Sequence, residues 1–303
     1  MTEPRYRPYP LGGEDGLPYS KGLLARALMG GGVAADRAYE LALRVENDLV
    51  ARGDSSVDFE RLQDLAVATL GHEEGERVVR RLRRYSELQQ LDRPIILLVG
   101  GATGTGKSTV ATEAAHRLGI VRVTSTDFLR ETMRAFFAKE FMPSIHFSSF
   151  EAGGALDLPD APRPETTILG FVDQTRNVLV GVRASIDRAL QEGWSMVLEG
   201  VHLVPGMLRL DDCPALVVQC VLAIEDEAEH ADHFWVRDGA TDGLRPVEKY
   251  LERLSDIRRL QEFIVSRADR HAVPVISERT VEDTIAAVIE LVVTSANERL
   301  ETV

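Results

Sequence analysis

Five β-branched or leucine residues, Ile95 to Val99, run without interruption into Gly-Gly-Ala-Thr-Gly-Thr-Gly-Lys-Ser-Thr at 100–109. No other stretch constrains the fold of this chain as tightly. A continuous apolar run of this kind predicts a central parallel strand buried on both faces. Gly101, Gly104 and Gly106 let the backbone turn so that successive N–H groups face one anion. Val110, Ala111, Ala114, Ala115 and Leu118 follow at helical spacing, so the anion also sits at a helix N-terminus. Strand, glycine loop, Lys-Ser and helix in this order make a phosphate-binding P-loop. Its binding residues are Gly101, Ala102, Thr103, Gly104, Thr105, Gly106, Lys107, Ser108 and Thr109. In this motif the lysine, here Lys107, reaches the β- and γ-phosphates, and the hydroxyl of Ser108 ligates Mg²⁺. ATP and Mg²⁺ are therefore the expected cofactors.

Composition narrows the partners. At 303 residues, with 44% hydrophobic and 27% charged residues, the chain reads as an ordinary soluble protein of two domains. A net charge of −13 argues against a nucleic-acid partner, because phosphate backbones are bound by basic surfaces. An anionic substrate must then be held by a local cluster of arginines. The N-terminus has no charged-then-apolar signal pattern, and no apolar run approaches membrane-spanning length, so no membrane partner is expected. Cys213 and Cys220 lack a nearby histidine and fit neither a disulfide framework nor a zinc site. They read as reduced, structural cysteines of a cytoplasmic protein. The oligomeric state stays open, a homo-oligomer included.

Residues 1–90 predict four amphipathic helices. Leu23, Leu24, Ala27 and Leu28 mark the first; Ala38, Leu41, Val45 and Leu49, closed by Gly53, the second. Phe59, Leu62, Leu65, Ala66 and Leu70 mark a third before Gly71, and the fourth runs from about Glu73 to Leu88. Arg80, Arg81, Arg83 and Arg84 on that last helix read as a solvated face or as an anion site. The series 13–24, the stretch 38–46, the helix end at Leu70 and Arg83-Arg84-Tyr85 resemble an ATP-cone domain, a small helical regulatory module. That family's usual basic residues before its Asp-Gly turn are replaced here by Leu11-Gly12-Gly13-Glu14, while Lys21 is present.

Residues 91–303 form the second domain, alternating strand and helix from Pro94 onward, which predicts a parallel sheet with helices on both faces. Strands are expected at 95–99, 121–124, 195–198, 215–224 and 273–276. Helices are expected at 173–192, from Pro246 to about His271, and after the Thr280-Val-Glu-Asp283 cap. An α/β fold with a five-stranded parallel sheet, preceded by a small helical domain, is the layout of P-loop small-molecule kinases.

Ligands of such sheets bind beyond the carboxyl ends of the strands, so the chemistry should lie just after each one. Asp127, after the second strand, is placed to accept the proton of a substrate hydroxyl, or else caps the helix that follows. Arg130, one turn on, could grip an anionic substituent. Glu199 ends the third strand in a Walker-B-like pattern and would hold Mg²⁺ or its water. His202 behind it reads as a substrate contact or a satisfied structural histidine. The polar segment 227–245 reads as a mobile lid whose Arg237 and Arg245 stabilise charge on the γ-phosphoryl, or as a plain surface loop. The aromatic segment 141–151, with a Pro-rich insertion at 157–164, is suited to an acceptor pocket in which His146, Ser148 and Ser149 offer neutral donors, or is a packing loop.

These blocks resemble the 2-phosphoglycerate kinases. The resemblance rests on 100–109, Ser-Thr-Asp-x-x-Arg at 125–130, Met-Pro-Ser-Ile-His-x-Ser-Ser-Phe at 142–150 and Leu-Glu-Gly-Val-His-Leu-Val-Pro-Gly at 198–206. It extends to Tyr-Leu-x-x-Leu-x-x-Ile-Arg-x-x-Gln at 250–261 and Val-Pro-Val-Ile at 273–276. An ATP-cone-like module ahead of the kinase is also known in that family. The resemblance implies transfer of the ATP γ-phosphoryl to the 3-hydroxyl of 2-phosphoglycerate, giving 2,3-bisphosphoglycerate. Another hydroxy-acid, polyol or sugar phosphate would ask for the same residue types, and a nucleotide-sensing regulator would share the P-loop.

Overall fold

The computed structural model describes residues 11, 19–30, 33–89, 91, 93–156, 163–210, 212–240, 247–277 and 280–300. The chain forms two compact units. The first comprises Met1–Asp92, Arg117–Gly119 and Ile289–Val303; the second comprises Arg93–His116 and Ile120–Val288.

The first unit contains helices α1 (Lys21–Gly30), α2 (Ala35–Arg52), α3 (Phe59–Leu70) and α4 (His72–Gln89). Their ends follow local chemistry. Gly53, at φ +74°, closes α2 in the left-handed conformation, where a side chain would be strained. The Asp58 carboxylate caps α3 by accepting from the Arg61 N–H at 2.7 Å. The stripe Ala38, Leu41, Ala42, Val45 and Leu49 is buried along α2, and Leu62, Leu65, Ala66 and Leu70 along α3. Gly75 lets α4 approach α3 closely, since a Cβ there would lie 2.6 Å from the Val67 backbone nitrogen. Lys21 is ion-paired with Glu46 at 2.9 Å. Of the arginine run, Arg80 and Arg83 are exposed, with Arg83 over the Phe59 ring; the side chains of Arg81 and Arg84 lie outside the described residues, as do residues 12–18 of the Asp-Gly turn.

In the second unit the order is β1 (Ile95–Gly101), α5 (Lys107–Leu118), β2 (Val123–Ser125), α6 (Thr126–Phe136), α7 (Arg163–Gln191), β3 (Met196–Glu199) and β4 (Leu216–Leu222). Then come α8 (Glu227–Ala240), α9 (Val247–Leu251), α10 (Leu254–Arg270), β5 (Val275–Ile276) and α11 (Val281–Leu300), whose later part belongs to the first unit. The described strands form one parallel sheet in the order β2-β3-β1-β4-β5. β1 is central and every residue of it is buried, as the apolar run predicts. Ile96 and Leu98 share a core with Val178, Val182 and Ile186 of α7. A second core gathers Phe171, Val201, Val221 and Phe234 with Ile257, Leu260 and Ile264 of α10. Among the described residues no helix is long and apolar enough to cross a membrane.

Four local expectations change. The second strand is shorter and later than 121–124, because Val121 is exposed and only an edge triplet pairs with β3. α7 begins ten residues before 173. Gly170, which interrupts the sequence pattern, is required by packing: a Cβ would sit 2.3 Å from Ala152. Residues 227–240 are helical rather than a polar loop, since His230 and Phe234, one turn apart, are both buried. The helix expected from Pro246 to His271 is broken into α9 and α10, and Pro246 itself lies outside the described residues.

Two glycine substitutions separate packing from helix propensity. Gly75→Ala is expected to destabilise by about 2 kcal/mol through overpacking against α3. Gly22→Ala, on an exposed face of α1 with nothing within 4 Å, should stabilise by about 0.5–1 kcal/mol. Urea unfolding followed by circular dichroism should move in opposite directions for the two.

Candidate functional site

The site lies beyond the carboxyl end of β1, where the connections leave toward β2 on one side and β4 on the other. Gly104 and Gly106 have φ of +92° and +76°, the left-handed conformations that the loop requires. Gly101, also at positive φ, passes so close to β4 that a Cβ would meet the Leu222 carbonyl oxygen at 2.3 Å. The Ala102 carbonyl turns inward and accepts from Thr105 Oγ1 at 3.0 Å and from Lys107 Nζ at 2.5 Å. Lys107 is buried, and burial lowers its pKa; the carboxylates of Glu199 and Asp127 oppose that shift. Thr103, Gly104 and Gly106 are half-buried, Thr105 is buried, and Ser108 and Thr109 open to solvent at the start of α5.

Glu199 is the last residue of β3, in register between Val99 of β1 and Ser125 of β2. The Ser108 hydroxyl donates to its Oε1 at 3.0 Å. A hydroxyl and a carboxylate meeting at a P-loop form a hard-oxygen donor pair of the kind that suits Mg²⁺. Among the described residues no group of three or more histidines, cysteines or carboxylates is disposed to hold a metal.

Asp127 is not the cap of α6. Ser125 fills that position, its hydroxyl accepting from the Phe128 N–H at 2.9 Å. The Asp127 carboxylate is instead 67% exposed in the first turn, with one oxygen 3.5 Å from Arg130 Nε. Arg130 is not a free anion grip. Its Nη1 donates to the Ile145 and Phe147 carbonyls at 2.9 and 3.1 Å, and its Nη2 to Glu131 at 2.6 Å. The guanidinium fork thus ties the segment 143–147 to α6.

His202 is fully buried, and both of its ring nitrogens have hydrogen-bond partners. Gln174 Nε2 donates to the Ser144 and Phe147 carbonyls at 2.7 and 2.9 Å. Its Oε1 must then accept, 3.0 Å away, from His202 Nε2–H. His202 Nδ1 is left to accept from the Thr126 hydroxyl at 2.8 Å. Thr126 in turn rests on Gly200, where a Cβ would collide with its Oγ1. This buried chain joins the end of β3, the start of α6 and the segment 143–147. Gln174 was missed by sequence reasoning, although a glutamine beside the helical stripe Phe171, Thr175, Val178 and Val182 is a recognisable signal.

Within the acceptor segment, His146 Nε2 lies 2.9 Å from the Phe137 carbonyl, and Ser149 is buried. Ser148 Oγ accepts from Lys249 Nζ at 3.4 Å, while the same ammonium pairs with Glu151 at 2.9 Å. On the other side, α8 lies against the P-loop through His230 and His233. Arg237 is on α8 with its side chain outside the described residues; Arg245 and 157–162 of the insertion lie outside them altogether.

Comparison with curated proteins gives relatives along nearly the whole chain. It is 36% identical over 278 residues to a 2-phosphoglycerate kinase of Methanopyrus kandleri, covering 91% of this chain and 84% of that one. It is 38% identical over 274 residues to a protein of the same name from Methanothermobacter thermautotrophicus, covering 90% and 89%. The chain belongs to the 2-phosphoglycerate kinase family. A third relative, from Thermococcus kodakarensis, is 36% identical over 273 residues and covers 90% of this chain and 92% of its own. No family model matches the chain. Among solved structures, a shikimate kinase from Acinetobacter baumannii in complex with shikimate aligns with a TM-score of 0.40 and 14% identity, over 69% of this chain and 97% of that one.

Burial depresses the His202 pKa to about 4. In the unfolded chain it returns to about 6.5, so between these values the unfolded state binds the extra proton. The stability contributed is complete above pH 6.5 and is lost as pH falls through 4, to a total of about 3 kcal/mol. His230, depressed to about 4 by burial, acts in the same direction. Melting temperatures from pH 7 to 4 should therefore fall less steeply for His202→Gln than for the wild-type chain.

Proposed function

We propose that the chain is a cytoplasmic kinase that transfers the γ-phosphoryl of ATP to the 3-hydroxyl of 2-phosphoglycerate, giving 2,3-bisphosphoglycerate. The observation that carries this reading is the Ser108–Glu199 hydrogen bond of 3.0 Å beside a buried Lys107, in a chain of this family. The two cysteines are both free, and Cys220 is buried with its thiol pushed up to about 12, which makes it an unreactive structural residue.

The roles follow from position. The loop N–H groups and the N-terminus of α5 receive the phosphates, and Lys107 moves its ammonium from the Ala102 carbonyl onto them. Ser108 and Glu199 would hold Mg²⁺, which would supply positive charge to offset that of the phosphates. Asp127, exposed at the mouth of the site, accepts the proton of the attacking hydroxyl. Arg130, Gln174 and His202 fix the acceptor segment rather than touch the acceptor. His146, Ser148 and Ser149 line it, with Lys249 as a cation at hand for an anionic substituent. Arg237 and Arg245 are assigned to the γ-phosphoryl. Residues 1–90 are read as an ATP-cone-like module preceding a kinase domain at 91–303, a reading supported by the packed helices α1 to α4.

A coupled assay for ADP release tests this with 2-phosphoglycerate, 3-phosphoglycerate, glycerate and sugar phosphates as acceptors. Fast release is expected with 2-phosphoglycerate only, and is expected to vanish with EDTA. Slow release independent of acceptor would instead indicate a nucleotide sensor. Lys107→Ala should lower turnover by about 10³-fold. Asp127→Asn should lower kcat by about 10²-fold or more with little change in the KM for ATP; near-normal turnover would remove Asp127 from the proton-accepting role.

A further inference from the structure

α8 contacts the P-loop through two histidines whose partners are main-chain carbonyls. His230 Nε2 lies 2.8 Å from the Thr103 oxygen and His233 Nδ1 lies 3.0 Å from the Gly104 oxygen. A carbonyl only accepts, so each ring nitrogen must carry the proton: His230 is the Nε2–H tautomer and His233 the Nδ1–H tautomer. In a trans peptide the C=O and N–H point in opposite directions. No cis peptide occurs among the described residues. Pulling the Thr103 carbonyl toward α8 therefore turns the Gly104 N–H away from α8, and pulling the Gly104 carbonyl does the same for the Thr105 N–H. Among the described residues neither of these N–H groups has a backbone partner. By contrast, the carbonyl of Ala102 faces inward, onto Lys107 and Thr105.

We propose that His230 and His233 are positioning residues of the anion cradle, holding the 103–104 and 104–105 peptides so that the N–H groups of Gly104 and Thr105 are presented to the phosphates. The inference rests on the reading of the P-loop as a nucleotide site. Packing locks the arrangement. The Phe234 ring stacks on His230 at 5.5 Å and on Tyr250 at 5.0 Å, and Tyr250 meets Phe150 at 5.9 Å. Gly104 admits this contact, since a Cβ would lie 2.6 Å from Phe234 Cζ and 2.9 Å from His230 Nε2. Among the described residues the buried His230 Nδ1 has no hydrogen-bond partner, a cost that a purely apolar residue would avoid. Retaining a histidine there is explained by the donor on its other side.

The test uses calorimetric binding of ADP and of inorganic tripolyphosphate to the full chain, together with KM values for ATP and acceptor. His230→Phe keeps a ring in the stack but loses the donor, and His233→Leu removes the donor at a half-buried position. Each should weaken both ligands by about 10-fold and raise the KM for ATP, with acceptor KM unchanged. His230→Gln and His233→Asn, which restore an N–H donor, should recover most of the affinity. Wild-type affinity in His233→Leu and His230→Phe, with binding lost in Lys107→Ala, would overturn the positioning role and leave the nucleotide reading standing. A loss for ADP without one for tripolyphosphate would also overturn it, because the contact would then concern the nucleoside. Undiminished binding in Lys107→Ala would overturn the underlying reading itself. If His230→Phe fails to fold, His233→Leu alone decides.

Discussion

The hydrogen bond between Ser108 and Glu199 depends on a single register. β3 lies beside β1 with Glu199 opposite Val99, so the carboxylate emerges at the level where β1 gives way to the glycine loop. Side chains alternate along a strand, and a slip of one residue would turn Glu199 to the opposite face of the sheet and bring a leucine to the loop. β1 and β3 are covered throughout, so a slip would carry the Glu199 carboxylate into apolar surroundings and away from the Ser108 hydroxyl. The placing of β3 next to β1, ahead of β2, is thus a requirement of the chemistry as much as of the core. It also sets Ser125 beside Glu199, which delivers the first turn of α6, and with it Asp127, to the same end of the sheet.

From that end a buried polar chain reaches outward. Thr126, His202 and Gln174 satisfy one another and finish on the carbonyls of Ser144 and Phe147, which Arg130 helps to hold. Every donor in the chain is matched by an acceptor, which is why a neutral, low-pKa histidine suits it. Protonation of His202 would leave two donors, Nδ1–H and the threonine hydroxyl, facing each other until the hydroxyl rotates away. Polar groups used in this way give a loop one position, where apolar packing alone would allow several.

What could be read from the sequence was what is local. The strand, loop and helix of the P-loop are contiguous, and the helices of the first unit carry complete stripes and glycine ends, such as Gly53 and Gly71. Glu199 was legible because a strand ending in an acid is a short pattern. The network was not, because Thr126 and His202 are 76 residues apart and His202 and Gln174 are 28 apart. The partners of Arg130 are not legible either, since nothing local says that a guanidinium will be occupied by carbonyls fifteen and seventeen residues on. The polar composition of the segment from Glu227 predicts a loop. Its helical face is visible only against the P-loop, where His230 finds a carbonyl and Phe234 fills the space left by Gly104.

The balance of charge at the loop explains why so acidic a chain can take an anion there. Lys107 is buried, which favours its neutral form, and the two carboxylates, Glu199 and Asp127, favour the charged one. Neutral donors, namely main-chain N–H groups held in one orientation, then contribute attraction for phosphate without adding a formal charge. On the proposed reading a divalent cation at Ser108 and Glu199 would offset further phosphate charge. On that reading Glu199 would carry the cation, and the same carboxylate opposes the loss of charge that burial imposes on Lys107.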